Sequence, residues 1–193
     1  MHLKRVKPAA MIAATVMASL VALASPAHAA SSSTTASRQL DSITDTCAYA
    51  TGDLHYAYWE PVADQSLAWS SEGAASGNAV MLGNLKSSSP LDCFKQENYG
   101  HGQIAFEDFQ ADLCLNVAGA SHAAGAWIIL YPCGTVPNNE RFNENPSSIG
   151  IELQSISSGL CIDVSNGYKA YSILEQEPCG GLNDISQQWE SVG

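Results

Sequence analysis

Basic side chains are scarce in this chain. It carries 8 Lys and Arg against 19 Asp and Glu in 193 residues, a formal net charge of −11 at pH 7. Such an acidic surface repels phosphate backbones and anionic lipid headgroups. We therefore expect no nucleic acid and no membrane among its partners, which leaves neutral glycans or a basic protein.

Long apolar runs are missing as well, except for one from Ala9 to Ala24. It follows a positively charged start and is shorter than the roughly 20 residues that span a bilayer. It ends at a proline and an A-x-A site at 27–29. This pattern predicts a signal peptide over 1–29 and a secreted, extracellular protein. A membrane anchor is the alternative that the length and the closing proline disfavour.

The segment that follows lacks anything to bury. Residues 30–42 are small, polar and rich in Ser and Thr, which is typical of a disordered leader. The remaining chain, 43–193, is the length of one domain. Removing 1–29 leaves 5 basic against the same 19 acidic residues, so the net charge of the mature chain becomes −14.

No C-x-x-C pair occurs among the cysteines, which argues against zinc sites and thioredoxin-like redox centres. An even number of cysteines in an exported protein predicts three disulfides. We expect no metal and no cofactor. The six residues are Cys47, Cys93, Cys114, Cys133, Cys161 and Cys179.

Catalytic motifs are absent too. No histidine downstream of residue 29 lies in a zinc-protease motif or a nucleophile elbow. Gly100-His101-Gly102 lacks a third glycine and a following helix, so it predicts a turn. Glu175 and Glu177 alternate on one strand face, as a glycosidase pair could, but a solvated face is the ordinary interpretation. We therefore expect a protein that is not an enzyme.

What the sequence does contain is a repeat. Residues 149–164 read IGIELQSISSGLCIDV and residues 103–117 read QIAFEDFQADLCLNV, and the two stretches align at an offset of 47. A fainter copy lies one period earlier, where Ser66-Leu-Ala-Trp69 takes the place of Cys114-Leu-Asn-Val117. Short alternating segments separated by Gly, Ser, Asn and Pro predict strands throughout. Three such units closing around an axis bury a core that one unit cannot.

The repeated motifs resemble those of the ricin-B-type lectins. Cys114-Leu-Asn-Val117 and Cys161-Ile-Asp-Val164 are similar to the family's C-L-D-V strand, and Gln187-Gln-Trp189 to its Q-x-W motif. Glu140-Arg-Phe142 and Asp92-Cys-Phe94 are weaker versions of Q-x-W. The resemblance covers 48–193 and implies an all-β fold, a β-trefoil of three pseudo-symmetric repeats of about 47 residues.

Two structural details follow from this resemblance. The aromatic residues of the three Q-x-W positions, Phe94, Phe142 and Trp189, are expected to pack together in the core. The family's disulfides imply the pairs Cys114–Cys133 and Cys161–Cys179, and with them Cys47–Cys93.

The resemblance also implies a sugar site in the second repeat. A ricin-type site takes a carboxylate from C-L-D-V, a stacking ring two residues before the second cysteine, and an Asn-Gln pair ahead of the Q-x-W aromatic. The second repeat offers Asn116, Tyr131, Asn139 and Glu140 at these positions. The ring is kept, while an amide replaces the carboxylate.

The other two repeats depart further from this pattern. The third keeps the carboxylate, Asp163, and Gln187, but has Glu177 and Ser186 at the other positions; Tyr168 or Tyr171 in the intervening loop could replace the lost ring. The first repeat supplies Ala68, Gly83, Leu91 and Asp92, and we expect no binding there. The sugar-binding candidates are thus Asp163, Gln187, Tyr171, Asn116, Tyr131 and Asn139.

Two functions remain open. The first is a secreted carbohydrate-binding protein that recognises a neutral glycan. The second is a protein-binding trefoil, an inhibitor or a subunit of a secreted assembly, whose acidic surface meets a basic partner. Asp163 and Asn116 have the alternative role of stabilising turns, and Tyr131 and Tyr171 that of half-buried strand residues.

Overall fold

The computed structural model describes residue 47 and residues 55–84, 92–134 and 138–192, and the regular structure of this part of the chain is mostly short β-strands joined by turns. The all-β prediction is confirmed. The predicted signal peptide and leader lie outside the described residues. Within these ranges no helix has the length and apolar character needed to cross a membrane. The strands are β1 Tyr56–Pro61, β2 Leu67–Ser71, β3 Val80–Asn84, β4 Phe94–Gly100, β5 Gln103–Asp108, β6 Leu113–Val117, β7 Ala126–Tyr131, β8 Phe142–Pro146, β9 Ile151–Ser155, β10 Cys161–Val164, β11 Leu174–Glu177 and β12 Gln188–Val192.

Six of these strands pair in a closed ring. Going round it, β1 pairs with β4, β4 with β5, β5 with β8, β8 with β9, β9 with β12, and β12 with β1, all antiparallel. The predicted turn at Gly100-His101-Gly102 joins β4 to β5, and both glycines have positive φ. Closure leaves no strand of the ring with a free edge.

The remaining strands of the described part form three hairpins, which we call hairpin 1 (β2–β3), hairpin 2 (β6–β7) and hairpin 3 (β10–β11). The hairpins also pair with one another in a cycle. Ala79 of hairpin 1 bridges Ile129 of hairpin 2, Trp127 of hairpin 2 pairs with Glu175 of hairpin 3, and Ile173 bridges Met81 of hairpin 1. Each hairpin therefore pairs with both of the others.

The core lies between the ring and the hairpins. Phe94, Phe142 and Trp189 are each fully buried in one cluster, as predicted. They hold matching places in the ring, opposite Asp108, Ser155 and Pro61. Trp69 fills the centre: its ring centroid is 5.9 Å from that of Phe94 and 5.2 Å from that of Trp189. These contacts explain why large aromatics recur at one offset.

The three predicted disulfides are confirmed: Cys47–Cys93, Cys114–Cys133 and Cys161–Cys179. The last two join the start of a hairpin to the segment just after its second strand. The first ties residue 47, ahead of β1, to the residue preceding β4. Each bond stabilises the fold mainly by restricting the unfolded chain.

Candidate functional site

Alternation along the strands of hairpin 2 separates a core face from an outer face. Ile128 and Leu130 point into the core and are fully buried. Asn116, Ile129 and Tyr131 lie on the outer face, where Asn116 is directly opposite Ile129 and Tyr131 is opposite Cys114. The register therefore brings two of the predicted sugar-binding residues to one surface.

A cleft of about 240 Å³ opens on this outer face. The loop after β6 forms one wall, with Gly119 and Ala120 both at positive φ. The third predicted residue of the second repeat, Asn139, reaches the cleft from the segment that precedes β8. The lining residues are Asn116, Val117, Gly119, Ala120, Ile129, Tyr131 and Asn139.

Two buried amides form the polar part of the cleft, and their orientation is fixed by the backbone. Asn139 Nδ2 donates to the carbonyl oxygen of Val117 at 2.7 Å and to Asn116 Oδ1 at 2.9 Å. Because a carbonyl only accepts, the atom of Asn139 that faces it must be the NH₂ group. That NH₂ group then requires an acceptor on Asn116, so the oxygen of Asn116 faces Asn139.

This arrangement leaves one donor and one acceptor without partners. Asn116 Nδ2 and Asn139 Oδ1 are buried and have no hydrogen-bond partner within the described ranges. Buried polar groups are nearly always satisfied, and an unmet one costs about 1–3 kcal/mol. A hydroxyl is both donor and acceptor, so it matches the pair. Tyr131, 39% exposed, stands beside the two amides as an aromatic surface.

Hairpin 3 has a different polar arrangement. Asp163 Oδ2 accepts from Gln187 Nε2 at 2.8 Å, and Asp163 Oδ1 accepts from the amide of Val164 at 2.6 Å. Gln187 also donates to the carbonyl of Pro178 and accepts from the amide of Gly180. Both side chains are thus engaged within the protein, which is the turn-stabilising role considered for Asp163.

The tyrosines of the loop between β10 and β11 differ from each other. Tyr168 donates its hydroxyl hydrogen to the carbonyl of Ser186, and burial, with smaller effects of the Asp163 and Asp184 charges, raises its pKa. Tyr171 is 78% exposed, and its amide donates to the carbonyl of Leu82 in hairpin 1 at 2.7 Å. The backbone of Tyr171 is therefore bound to hairpin 1, while its side chain is exposed and not half-buried as considered above.

The outer face of hairpin 3 is acidic. Asp163 is opposite Glu175, and Glu177 follows two residues later on the same face. Burial, then the charges of Glu177 and Asp163, raise the pKa of Glu175. The position matching Tyr131 is Glu177, so this hairpin has no ring of its own there.

Strand register changes the assignment of hairpin 1. Sequence alignment placed Ala68 in the slot of Asn116, but Ala68 is opposite Gly83 and Ser70 is opposite Met81. Met81 in hairpin 1 corresponds to Ile129 in hairpin 2, because each forms the bridge to a neighbouring hairpin. Ser70 is opposite Met81 as Asn116 is opposite Ile129, so Ser70 is the structural equivalent of Asn116. Gly83 holds the slot of Tyr131, and a Cβ there would lie 2.8 Å from Ser70 Cβ. The hairpin itself has no room for a ring at residue 83.

Sequence reasoning missed Trp127. It is half exposed on the outer face of β7, two residues from Ile129 and four from Tyr131, and it is opposite Glu175. The alternation of Trp127, Ile129 and Tyr131 with buried Ile128 and Leu130 was the available signal.

Comparison with known proteins shows the fold and no family. No family model matches the chain, and no curated protein matches it in sequence. Among solved structures, a designed threefold-symmetric protein, ThreeFoil, superposes with a TM-score of 0.65 at 22% identity over 72% of this chain and 99% of its own. The neighbours are β-trefoil proteins, which agrees with the ring and hairpins described above.

Two natural proteins superpose with similar quality. A Polyporus squamosus lectin, solved with the glycan Neu5Acα2-6Galβ1-4GlcNAc bound, gives a TM-score of 0.62 at 15% identity over 70% of this chain. An exo-β-1,3-galactanase of Clostridium thermocellum gives 0.65 at 16% identity over 72% of this chain. The chain spans 48% of that lectin and 30% of that galactanase.

Proposed function

We propose that this protein is a secreted carbohydrate-binding β-trefoil, built from three units of about 47 residues and resembling the ricin-type lectins. It binds a neutral glycan in the cleft of hairpin 2 without catalysing a reaction. The apolar face of a sugar ring stacks on Tyr131, and a ring hydroxyl bonds the two amides, Asn116 and Asn139.

The unmet donor and acceptor in the cleft carry this proposal. Asn116 and Asn139, which carry these two atoms, line the cleft together with the exposed ring of Tyr131 and apolar Val117 and Ile129. Ligand sites combine an apolar lining with a few convergent polar groups in this way. The amides are uncharged, which suits a neutral ligand better than a cation. The bound lectin among the structural neighbours gives independent support for a glycan as the ligand class.

The test is a glycan array followed by calorimetry on the best binder, with wild type, Tyr131→Ala and Asn116→Ala. We expect each substitution to weaken binding about tenfold or more, which is about 1.4 kcal/mol. In the Asn116→Ala variant Asn139 keeps its bond to the Val117 carbonyl, so the cleft wall stays in place.

Tyr99→Ala is the matched control. Tyr99 is 46% exposed on β4, is not among the residues that line the cleft, and stacks on Arg141. This variant should bind like wild type. Equal weakening by all three substitutions, or no glycan bound by wild type, contradicts the proposal.

The acidic surface supports a second candidate, a protein-binding role. The carboxylates of Asp163, Glu175 and Glu177 share the outer face of hairpin 3, and a basic partner would complement them. A partner that wild type retains from culture medium, in one-to-one ratio and in a salt-sensitive manner, while no glycan binds, would favour this function. Charge-neutral variants Glu175→Gln and Glu177→Gln would then lose the partner.

A further inference from the structure

The three disulfides differ in how far a thiol in solution can reach them. The bond Cys47–Cys93 is buried at both residues. Cys161–Cys179 joins a buried residue to a partly buried one, whereas Cys114–Cys133 joins a buried residue to an exposed one. A thiolate opens a disulfide by attacking one of its sulfur atoms, so access is the first requirement. By access, Cys114–Cys133 is the bond that a thiol should open first.

A buried carboxylate lies beside the bond of hairpin 3. A carboxylate oxygen of Glu152 and the two sulfur atoms of Cys161 and Cys179 all lie within 4.8 Å of one another. Glu152 is almost fully buried, its Oε1 accepts from Asn145 Nδ2 at 3.3 Å, and its Oε2 has no hydrogen-bond partner in the described part of the chain. The attacking thiol and the departing thiol are both anions, so this negative charge opposes exchange at either sulfur.

The equivalent bond of hairpin 2 has no carboxylate at the matching place. Asp108 and Ser155 hold equivalent places in the ring, each opposite one of the aligned phenylalanines. Three residues earlier on the two strands, Ala105 therefore corresponds to Glu152. Ala105 is buried and carries only a methyl group. The two equivalent disulfides thus differ in charge as well as in access.

One carboxylate does adjoin the bond of hairpin 2. Glu107 is opposite Cys114 in the pairing of β5 with β6. Its side chain is partly exposed, and Lys95 is opposite it on β4. A charge in contact with water is screened far more than a buried one, and a neighbouring cation offsets part of what remains. Glu107 should therefore slow exchange much less than Glu152 does.

The bond of hairpin 2 lies next to the cleft. Cys114 is opposite Tyr131, and Cys133 follows Tyr131 by two residues. The bond therefore fastens the end of β7, which carries the aromatic ring of the cleft, to β6, which carries Asn116. With this bond open, the ring and the amide are no longer covalently held at one spacing.

We propose that Cys133 is a site of thiol–disulfide exchange, and that opening Cys114–Cys133 weakens glycan binding in the cleft. The thiolate of a low-molecular-weight thiol forms a bond to Cys133 Sγ as the S–S bond breaks, and Cys114 leaves as a thiolate that takes a proton from water. A second thiolate attacks the mixed disulfide, which releases the oxidised thiol and leaves Cys133 as a thiolate that is protonated in turn. Glu152 keeps Cys161–Cys179 closed meanwhile.

The first experiment follows reduction of the oxidised full chain by glutathione without denaturant. Early in the reaction, free thiols are trapped with N-ethylmaleimide in urea, and peptide mass spectrometry locates them together with bound glutathione. We expect glutathione on Cys133, and opening of Cys114–Cys133 at least about tenfold faster than that of Cys161–Cys179. Glu152→Gln should speed opening of Cys161–Cys179 about tenfold, whereas the matched control, Glu107→Gln, should change the rate at Cys114–Cys133 less than about twofold.

Two results of this experiment would overturn the exchange site. One is equal opening of the two bonds in folded wild type, or glutathione bound to Cys114 in place of Cys133. The other is a difference between the bonds that persists in the urea-unfolded, oxidised chain, where Glu152 no longer lies beside the sulfur atoms. There the two bonds should open at rates within about twofold of each other.

The second experiment tests the effect on the cleft, which rests on the proposed function. Calorimetry with the best-binding glycan compares wild type, Cys114→Ala/Cys133→Ala and Cys161→Ala/Cys179→Ala. The bonds removed close loops of similar length, 19 and 18 residues, so the two variants should lose similar stability. The first should bind at least about tenfold more weakly, and the second like wild type. If urea unfolding shows the first to be unfolded, wild type opened at this bond by glutathione takes its place.

The outcomes keep the two proposals apart. Equal glycan binding with the bond of hairpin 2 open and closed overturns its effect on the cleft and leaves the proposed function standing. A wild type that binds no glycan overturns the proposed function and that effect together. The exchange site at Cys133 is decided by the order of reduction alone.

Discussion

Replacing Asp108 with asparagine removes a buried charge and leaves the shape of the side chain almost unchanged. Asp108 is fully buried at the end of β5. Its Oδ1 accepts from the amide of Ala111 at 2.7 Å and so caps the turn into β6. An asparagine oxygen accepts the same bond, so the turn should persist.

The magnitude follows from the pKa of this carboxyl. Burial raises the pKa of Asp108 from 3.8 to about 6, and the nearby Asp92 charge adds to the rise, whereas the backbone amides of Ala111 and Gln110 oppose it. Below pH 3.8 the group is protonated in both the folded and the unfolded chain. As the pH rises from 3.8 through 6, the unfolded chain releases this proton before the folded protein does, so the free energy of unfolding falls. At 1.36 kcal/mol per pKa unit the loss is at most about 3 kcal/mol, complete above pH 7.

The assay is urea unfolding of oxidised wild type and Asp108→Asn from pH 4 to pH 8. The free energy of unfolding of the variant should rise relative to that of wild type as the pH rises, by up to about 3 kcal/mol, chiefly between pH 4 and pH 6. Asp64→Asn is the control. The Ser66 hydroxyl and amide lower the pKa of Asp64 from its ordinary 3.8, so its contribution is fully present above the unfolded pKa and is lost only as the pH falls below it. The difference between wild type and Asp64→Asn should therefore stay nearly constant from pH 4 to pH 8.

A difference between wild type and Asp108→Asn that stays constant from pH 4 to pH 8 would refute this reasoning. It would mean that the carboxyl titrates alike in the folded and unfolded chain. Carbon-13 NMR of the Asp108 carboxyl then decides whether its pKa is ordinary.

Two further predictions concern covalent and steric constraints. Replacing Cys47 and Cys93 by alanine should cost about 4 kcal/mol, and replacing Cys161 and Cys179 about 3 kcal/mol, because the loops closed span 46 and 18 residues; equal losses in urea unfolding would contradict the loop-length argument. Gly150→Ala should destabilise by about 1–3 kcal/mol, since its Cβ would lie 2.8 Å from Val62 Cγ2 and 3.0 Å from the Trp189 carbonyl. Gly150→Ser should lower stability at least as much. An unchanged melting temperature in both variants would show that the neighbouring atoms move to accommodate the added side chain.

The ring and its aromatic core could be predicted from sequence because they recur at a nearly constant offset. The repeat spacing aligned Phe94, Phe142 and Trp189 with one another, and the resemblance implied both their place in the core and the three disulfide pairs. In a repeat of this kind, residues that are equally spaced along the chain occupy equivalent positions around the ring.

Hairpin 1 could not be read in this way because its loop has a different length. Ser71 pairs with Val80, whereas Val117 pairs with Ile128, so the loop of hairpin 1 is two residues shorter than that of hairpin 2. A constant offset therefore misplaces β2 by two residues and puts Ala68 where Ser70 belongs.

The sequence predicted which residues form the candidate site, but it did not predict which of their atoms contact one another. Asn116, Tyr131 and Asn139 do meet in one cleft. Which polar atoms stay unmet depends on the Val117 carbonyl, and the placement of Tyr171 depends on pairing with a strand about ninety residues away. Both are long-range facts that local pattern does not encode.

The pairing of β1 with β12 has a consequence for how the protein is made. The earliest strand of the ring to leave the ribosome must wait for the latest before its backbone groups find their partner. Until then β1 and β9 each expose an unpaired edge, which invites association between unfinished chains. A stop codon or a proteolytic cut just before residue 188 would make that exposure permanent, and we expect the shortened chain to aggregate more readily.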